Sequence, residues 1–215
     1  MAALRAIGIN RPELRFPLDE PPSPAPACTR QLLGLWPDEP FALINPGAAW
    51  PNKRWPAERF GALAREVRAR HGLKSAVLWG PEEETLAAQV AAASDGAAEM
   101  APLTSVADMI ALTRAARLLI SGDTGPIHLA AAVGTPVVGI YGPTDPRRNG
   151  PWSPEDVCVS RFERCACHHQ RRCRVEQVYR GASAPPGARW CLEDITLQDV
   201  LDAVARRLAR ITPES

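Results

Sequence analysis

Short apolar segments alternate with helical periodicity from residue 41 onward, and this alternation restricts the fold more than any other feature of the chain. Segments of strand length lie at residues 41–45, 75–79, 97–100, 118–121 and 136–141, with a shorter one at 157–160. Between them, apolar residues recur with a helical period of roughly 3.6 residues. Strands that alternate with helices predict an α/β fold with a doubly wound, mostly parallel sheet and right-handed crossovers. Ligands of such sheets bind at the carboxyl ends of the strands.

Several predicted helices carry clear end signals. The first long one begins at Pro56 and ends at Gly72, because proline suits a first helical turn and glycine suits the residue after a helix. Capping boxes at residues 105–108 and 196–199 predict two further helix starts. The second box opens a helix predicted over residues 197–210.

The first forty residues differ in character from the rest. Prolines occupy five of the ten positions from Pro17 to Pro26, which favours extended geometry. A short helix is predicted at residues 28–35. We therefore divide the chain into residues 1–40, a proline-rich arm or the remnant of an interdomain linker, and residues 41–215, one α/β domain. Residues 161–190, rich in arginine and cysteine, are predicted to be an irregular excursion before the last helix.

Composition excludes some classes of protein. The chain has 25 Lys and Arg residues against 24 Asp and Glu residues, a formal net charge of +1, so it lacks the basic excess of a nucleic-acid-binding protein. The first ten residues include one arginine and no apolar segment long enough for a secretion signal. No apolar run has the length of a membrane span. We expect a cytoplasmic protein.

The sequence Ser121-Gly-Asp-Thr-Gly-Pro-Ile-His128 concentrates reactive side chains in one turn between an apolar strand and an apolar helix. Gly122 and Gly125 permit the backbone to approach a ligand closely. Backbone N–H groups at the positive end of a helix bind phosphate well. The same pattern also fits an ordinary turn in which Asp123 or Thr124 caps the helix.

Five short motifs occur in a fixed order: Asn45-Pro-Gly-Ala48, Lys53-Arg-Trp-Pro56, Trp79-Gly-Pro-Glu-Glu83, Ser121 to His128, and Gly142-Pro-Thr-Asp-Pro146. Together they resemble the C-terminal half of glycosyltransferase family 9, the bacterial lipopolysaccharide heptosyltransferases, from about Phe41 to the end of the chain. The resemblance implies a Rossmann-like, sugar-nucleotide-binding domain of a GT-B type glycosyltransferase. It also implies transfer of heptose from an ADP-sugar to the lipopolysaccharide inner core, with inversion at the anomeric carbon.

The resemblance implies donor-binding roles for Lys53, at the diphosphate, and for Glu83, at the ribose. From the residues alone, a solvated loop lysine is the favoured interpretation of Lys53, and the resemblance reverses it. Glu83 is equally well an acid that interacts favourably with the dipole of the next helix. A slip of one residue would place the ribose contact on a neighbouring glutamate.

In the central turn, the resemblance implies that Asp123 binds the sugar. It further implies that Thr124 and Gly125 hold phosphate through their backbone N–H groups. His128 follows within the helix, and it points either into the cleft as a ligand-binding residue or into the core.

Four cysteines of the irregular segment, Cys165, Cys167, Cys173 and Cys191, suggest a zinc site. Their spacing argues against one, because a single residue separates the first two, whereas structural zinc sites typically begin with a pair separated by about two to four residues. Reduced thiols are expected in a cytoplasmic protein. We therefore predict no metal site, no cofactor and no obligatory divalent ion.

In members of this family the catalytic base belongs to an N-terminal, acceptor-binding domain, and the residues before Phe41 are too few for such a domain. No catalytic residue is therefore assigned in this sequence. We expect the donor-binding half of a glycosyltransferase, inactive alone, whose partners are the ADP-sugar, the lipopolysaccharide core and a separately encoded acceptor domain. Membrane contact is expected to be at most peripheral, at the cytoplasmic face of the inner membrane. The alternative is a stand-alone nucleotide-sugar-binding module without catalytic activity; a two-domain fold that uses UDP-sugars fits the motifs less well.

Overall fold

A computed structural model of the chain describes residues 7, 8, 10, 16–19, 22–173 and 191–211. Within these ranges the chain forms six strands and seven α-helices. In chain order they are α1 (Ala25–Leu32), β1 (Phe41–Asn45), α2 (Ala57–His71), β2 (Lys74–Val77), α3 (Glu84–Ala92), β3 (Ala98–Met100), α4 (Val106–Ala115), β4 (Leu118–Gly122), α5 (Gly125–Val133), β5 (Val137–Tyr141), α6 (Pro146–Asn149), β6 (Val157–Ser160) and α7 (Leu197–Ala209). Single 3-10 turns lie at Pro51–Lys53 and Phe162–Arg164.

The six strands form one parallel sheet in the order β3-β2-β1-β4-β5-β6. Helices α2, α3 and α7 pack on one face, and α1, α4 and α5 pack on the other. The central strands β1, β4 and β5 are buried along their whole length, as expected for strands covered on both faces. The predicted doubly wound α/β fold is confirmed.

Most element ends also agree with the sequence predictions. Strands β1 and β6 have the predicted bounds, and the other four differ by at most two residues at an end. Gly72 ends α2 in the left-handed conformation, with φ of 70°, and its N–H donates to the carbonyl of Arg68. Both capping boxes are present, at Ser105 before α4 and at Thr196 before α7.

The first helix starts earlier than predicted. It spans Ala25–Leu32 rather than residues 28–35, so the extended arm predicted through Pro26 ends before that residue. Pro26 lies in the first helical turn, where a missing N–H group costs no helical hydrogen bond. Ser23 Oγ donates to Asp108 Oδ1 (2.6 Å) and Arg114 donates to the carbonyl of Leu18 (2.7 Å), which hold the preceding segment against α4.

In the described part of residues 161–190, regular structure is limited to the second 3-10 turn, in agreement with the predicted irregular excursion. The loop predicted at residues 181–187 lies outside the described residues. Across the described ranges, no helix combines the length and the apolar character needed to cross a bilayer.

Gly61 has no side chain, which allows α2 to pack closely on the end of α3. A β-carbon at this buried position would lie 2.5 Å from Ala93 Cβ, so Gly61→Ala should lower the free energy of unfolding by about 1–3 kcal/mol through overpacking. Alanine is the better helix former by about 1 kcal/mol, so propensity alone predicts the opposite sign. Urea denaturation of both variants measures the effect, with Ala69→Gly on the exposed face of α2 as the reverse exchange. A Gly61→Ala variant as stable as the wild type would contradict the close packing.

Candidate functional site

A cleft of about 400 Å³ opens beyond the carboxyl ends of β1, β2 and β4. The chain leaves β1 toward β2 and β3, and later returns to place β4 on the other side of β1. Loops that diverge in this way leave a crevice between them, which is the usual ligand site of open α/β sheets. Most of the lining residues come from the motifs after β1, β2 and β4, and Thr104 and Met109 come from beyond β3. The sequence places all five motifs at the carboxyl ends of strands and so predicts that they converge on one cleft, but no residue from Gly142 to Pro146 lines it.

Asn45, the last residue of β1, joins two of these loops. Its side-chain amide donates to Thr124 Oγ1 (2.8 Å) and to Ser121 Oγ (3.1 Å). The amide is buried, so these bonds fix the turn after β4 against the end of β1. Asn45 stood in a recognised motif but was not predicted as a site residue. The signal for it was a polar residue at the end of an otherwise apolar strand.

The turn after β4 lines the cleft and contains backbone N–H groups without an acceptor among the described residues. Thr124 precedes α5 in an extended conformation and makes no side-chain capping bond. The alternative in which a side chain caps this helix is therefore wrong. Pro126 has no N–H and lies at the second helical position. The N–H groups of Thr124 and Gly125 donate to no acceptor in the described part of the chain, so they remain available to an anion.

Lys53 is not a solvated lysine. Its Nζ lies 2.6 Å from Asp123 Oδ2, and the two side chains are only 14% and 7% exposed. The ammonium also lies 4.3 Å from the centre of the Trp50 ring, within cation–π range. The structure therefore brings together the two residues that the resemblance assigned to phosphate and to sugar.

Two more side chains surround the Asp123 carboxylate. Asn149 Nδ2 lies 3.5 Å from Oδ2, and His128 Nε2 lies 3.9 Å from Oδ1. The His128 side chain is half exposed beside Asp123, so the alternative that places it in the core is wrong. It is not among the residues that line the cleft.

Glu83 lies where the loop after β2 meets the loop after β1. Its Oε2 accepts a hydrogen bond from the N–H of Gly80 (3.1 Å), and a β-carbon at Gly47 would overlap its carboxyl group. Glu83 lines the cleft, whereas Glu82 and Glu84 do not. It also immediately precedes α3, so a favourable interaction with the helix dipole holds as well.

The end of the cleft near Glu83 is largely apolar, and most of it was not predicted. Its walls there include Leu78, Trp79, Thr104 and Met109. Trp79 Nε1 donates to the carbonyl of Ala101 (2.8 Å), which fixes the plane of the ring. A flat apolar wall beside a carboxylate suits a planar ring attached to a hydroxylated sugar.

The four cysteines of the irregular segment form one cluster. Cys165, Cys167 and Cys173 are buried and Cys191 packs against them, and the Sγ atoms of Cys167 and Cys173 are 3.7 Å apart. The described residues contain no group of three or more His, Cys, Asp or Glu side chains arranged to hold a metal ion. A hydrogen bond with Cys191 lowers the pKa of Cys165 to about 6. The same hydrogen bond, together with burial, raises the pKa of Cys191.

The loop that carries these cysteines contacts two loops of the site. Asn52 Nδ2 donates to the carbonyl of Gln170 (2.8 Å), directly beside Lys53. The N–H of His169 donates to the carbonyl of Pro143 (2.7 Å) in the loop after β5. The cysteine loop thus connects the turn that carries the lysine to the loop after β5.

The sequence matches the family model described as glycosyltransferase family 9 (heptosyltransferase) over residues 3–179. The match begins well before Phe41, where the motif resemblance starts. Lipopolysaccharide heptosyltransferase 1 of Pseudomonas aeruginosa is 30% identical over 164 residues, which are 76% of this chain and 46% of that protein. Lipopolysaccharide heptosyltransferase 3 of Escherichia coli is 28% identical over 159 residues, 71% of this chain and 46% of that protein. The chain therefore spans about half the length of these curated relatives.

Solved structures show the same fold. A glycosyl transferase family 9 structure from Veillonella parvula superposes with a TM-score of 0.70 at 22% identity, covering 98% of this chain and 59% of that one. The E. coli heptosyltransferase WaaC, solved with ADP, superposes with a TM-score of 0.63 at 22% identity, covering 95% of this chain and 53% of that one. The six-stranded parallel sheet with its flanking helices thus has the Rossmann-like fold of GT-B type glycosyltransferases. With the family match over most of its length, the chain belongs to glycosyltransferase family 9, the heptosyltransferases.

Removal of the lysine should destabilise the fold. Lys53→Ala leaves the buried Asp123 carboxylate without its cation, and we expect a loss of about 1–3 kcal/mol in the free energy of unfolding. Arg147→Ala breaks the exposed ion pair with Asp145 and should cost less than about 1 kcal/mol. Denaturant titration of both variants gives the comparison. Equal losses would mean that the largely buried ion pair contributes no more to stability than the exposed one.

The Cys165 thiol should ionise at a lower pH than the Cys191 thiol. In the metal-free chain, ultraviolet thiolate absorbance should rise with a midpoint near pH 6. This transition should be absent in Cys165→Ser. It should remain in Cys28→Ser, which removes an exposed cysteine as the control. Because folding lowers the pKa of this thiol, its contribution to stability is present above the pKa of the unfolded chain and is lost as the pH falls through about 6. Thiolate absorbance that appears only above the ordinary thiol range would contradict the cluster geometry.

Proposed function

We propose that this chain is the donor-binding half of a heptosyltransferase and that its cleft binds the ADP-sugar. One observation carries the proposal: Thr124 and Gly125, whose N–H groups have no acceptor among the described residues, line a cleft that Lys53 also lines. Helix N-terminal amides beside an ammonium group form a site for a diphosphate. The family match and the relatives described as heptosyltransferases support the reaction class.

The cleft divides into subsites in the order of the parts of the ligand. The apolar wall at Leu78 and Trp79 receives the adenine, and Glu83 Oε1 accepts from the ribose hydroxyls. Lys53 and the amides at the start of α5 bind the diphosphate. The Asp123 carboxylate then reaches the transferred sugar. Adenine is chosen over other bases because solved relatives are described with ADP and with an ADP-sugar.

In the proposed reaction, this half stabilises the leaving group. A general base outside the described residues takes the proton of the acceptor hydroxyl, whose oxygen attacks the anomeric carbon with inversion. The bond between that carbon and the β-phosphate oxygen breaks, and the electron pair leaves with ADP. Lys53 and the amide groups of Thr124 and Gly125 meet the negative charge that develops on the phosphate. No described residue is assigned as the base.

The acceptor is proposed to be the lipopolysaccharide inner core, held by an acceptor-binding domain that another chain or another part of the protein supplies. We place residues 41–215 in the donor domain and the reaction at the cytoplasmic face of the inner membrane. A nucleotide-sugar-binding module without catalysis uses the same cleft, so activity distinguishes the two functions and binding does not.

Calorimetric titration tests the donor site. The chain should bind ADP more tightly than UDP or GDP, and Lys53→Met should weaken ADP binding by about 10-fold or more, the value of one charge-assisted contact. Lys74→Met is the matched control, because Lys74 is the other lysine of the chain and lies at the far end of β2, bonded to the carbonyl of Leu33. An equal loss in both variants, or no binding of ADP, would reject the site.

An ADP-release assay with a lipopolysaccharide core acceptor tests the half-enzyme. These 215 residues alone should show no acceptor-dependent release of ADP, because acid–base assistance and acceptor positioning each account for orders of magnitude in rate. Addition of a family acceptor domain should restore turnover. Turnover by the chain alone would reject the half-enzyme, and no turnover with any acceptor domain would favour the binding module.

A further inference from the structure

The Lys53 ammonium and the Asp123 carboxylate bind each other in the cleft. Their contact distance is 2.6 Å and both side chains are largely buried. In the proposed function, the lysine binds the diphosphate and the carboxylate binds the sugar. Each group is therefore already engaged before the donor enters the cleft.

The net charge of the cleft affects how a diphosphate competes for this lysine. Among the described residues that line it, the charged side chains are one lysine, Lys53, and two acids, Glu83 and Asp123. The cleft thus carries more negative than positive side-chain charge. A diphosphate that enters it competes with Asp123 for the lysine and is repelled by the same carboxylate.

Asp123 keeps other polar neighbours when the lysine is drawn away. Asn149 Nδ2 lies 3.5 Å from Oδ2 and His128 Nε2 lies 3.9 Å from Oδ1. The lysine has a flexible stem and a rotatable ammonium group, whereas the carboxylate lies on the short turn after β4. The lysine is therefore the partner that moves.

We propose that the Lys53–Asp123 ion pair is an exchange pair that couples recognition of the diphosphate to recognition of the sugar. The diphosphate takes the ammonium from Asp123, and the carboxylate, now open, accepts hydrogen bonds from the hydroxyl groups of the sugar. This inference rests on the proposed donor site and deepens it. Asp123 then acts as a specificity-determining residue that favours the intact donor over ADP, because ADP breaks the ion pair and offers the carboxylate no hydroxyl in return.

The test is the affinity of Asp123→Asn for ADP and for ADP-heptose, measured by calorimetry. The amide keeps the shape of the side chain but neither holds the ammonium as an ion pair nor repels phosphate. We expect ADP to bind the variant about 5-fold more tightly or better than the wild type, within the usual range of coupling between sites. The preference for ADP-heptose over ADP should fall. Asp202→Asn, which removes the same charge from the exposed face of α7, should change neither affinity.

The outcomes separate the two proposals. ADP binding that is weakened or unchanged in Asp123→Asn would overturn the exchange pair while leaving the donor site intact. Failure of the wild-type chain to bind ADP would instead overturn the donor site. If circular dichroism shows that Asp123→Asn does not fold, the wild-type chain decides the question. Saturating ADP should then raise its affinity for free heptose by about 5-fold or more, and an unchanged or lowered affinity would reject the coupling.

Discussion

The site depends on the pairing of β1 with β4. This pair places Asn45 directly opposite Ser121 in a parallel register at the centre of a sheet that is buried on both faces. A slip of one residue would send every side chain of a strand to the opposite face, so the apolar packing on both sides fixes the register. The amide of Asn45 then bonds the turn after β4. The bare amides that begin α5 and the turn that carries Lys53 are thereby held at one edge of the sheet.

Close packing, rather than regular structure, positions the remaining loops. A β-carbon at Gly122 would lie 3.1 Å from the carbonyl oxygen of Lys53, so glycine lets the backbone of the lysine turn approach the end of β4. On its other side, the same turn is held by the bond from Asn52 to Gln170 in the cysteine loop. The backbone of Lys53 is thus fixed from two directions, while its long side chain can still change partners. The residues of the cysteine cluster are not among those that line the cleft, and the cluster is linked to the site through these loops.

The fold could be predicted from the sequence because the apolar periodicity and the signals at the helix ends indicate the same elements. Buried strands, capping boxes and the glycine after α2 are local signals, and the structure confirms them within two residues at strand ends. The start of α1 was wrong because prolines favour both extended segments and first helical turns, and only packing against α4 decides between them. The Lys53–Asp123 pair could not be predicted, since 70 residues separate the partners and their contact follows from strand order. Leu78 and Met109, which form apolar walls of the cleft, cannot be distinguished from core residues in the sequence.

The exchange of Lys53 between two anions links binding to catalysis in the proposed function. Only interactions that strengthen on the way to the transition state accelerate a reaction. As the bond to the sugar breaks, negative charge grows on the departing phosphate and draws the ammonium further from Asp123, while the carboxylate still contacts the sugar, on which positive charge develops. Both interactions therefore strengthen together. Once the sugar has left, ADP and Asp123 again compete for a single lysine, so the arrangement that stabilises the transition state also disfavours the bound product.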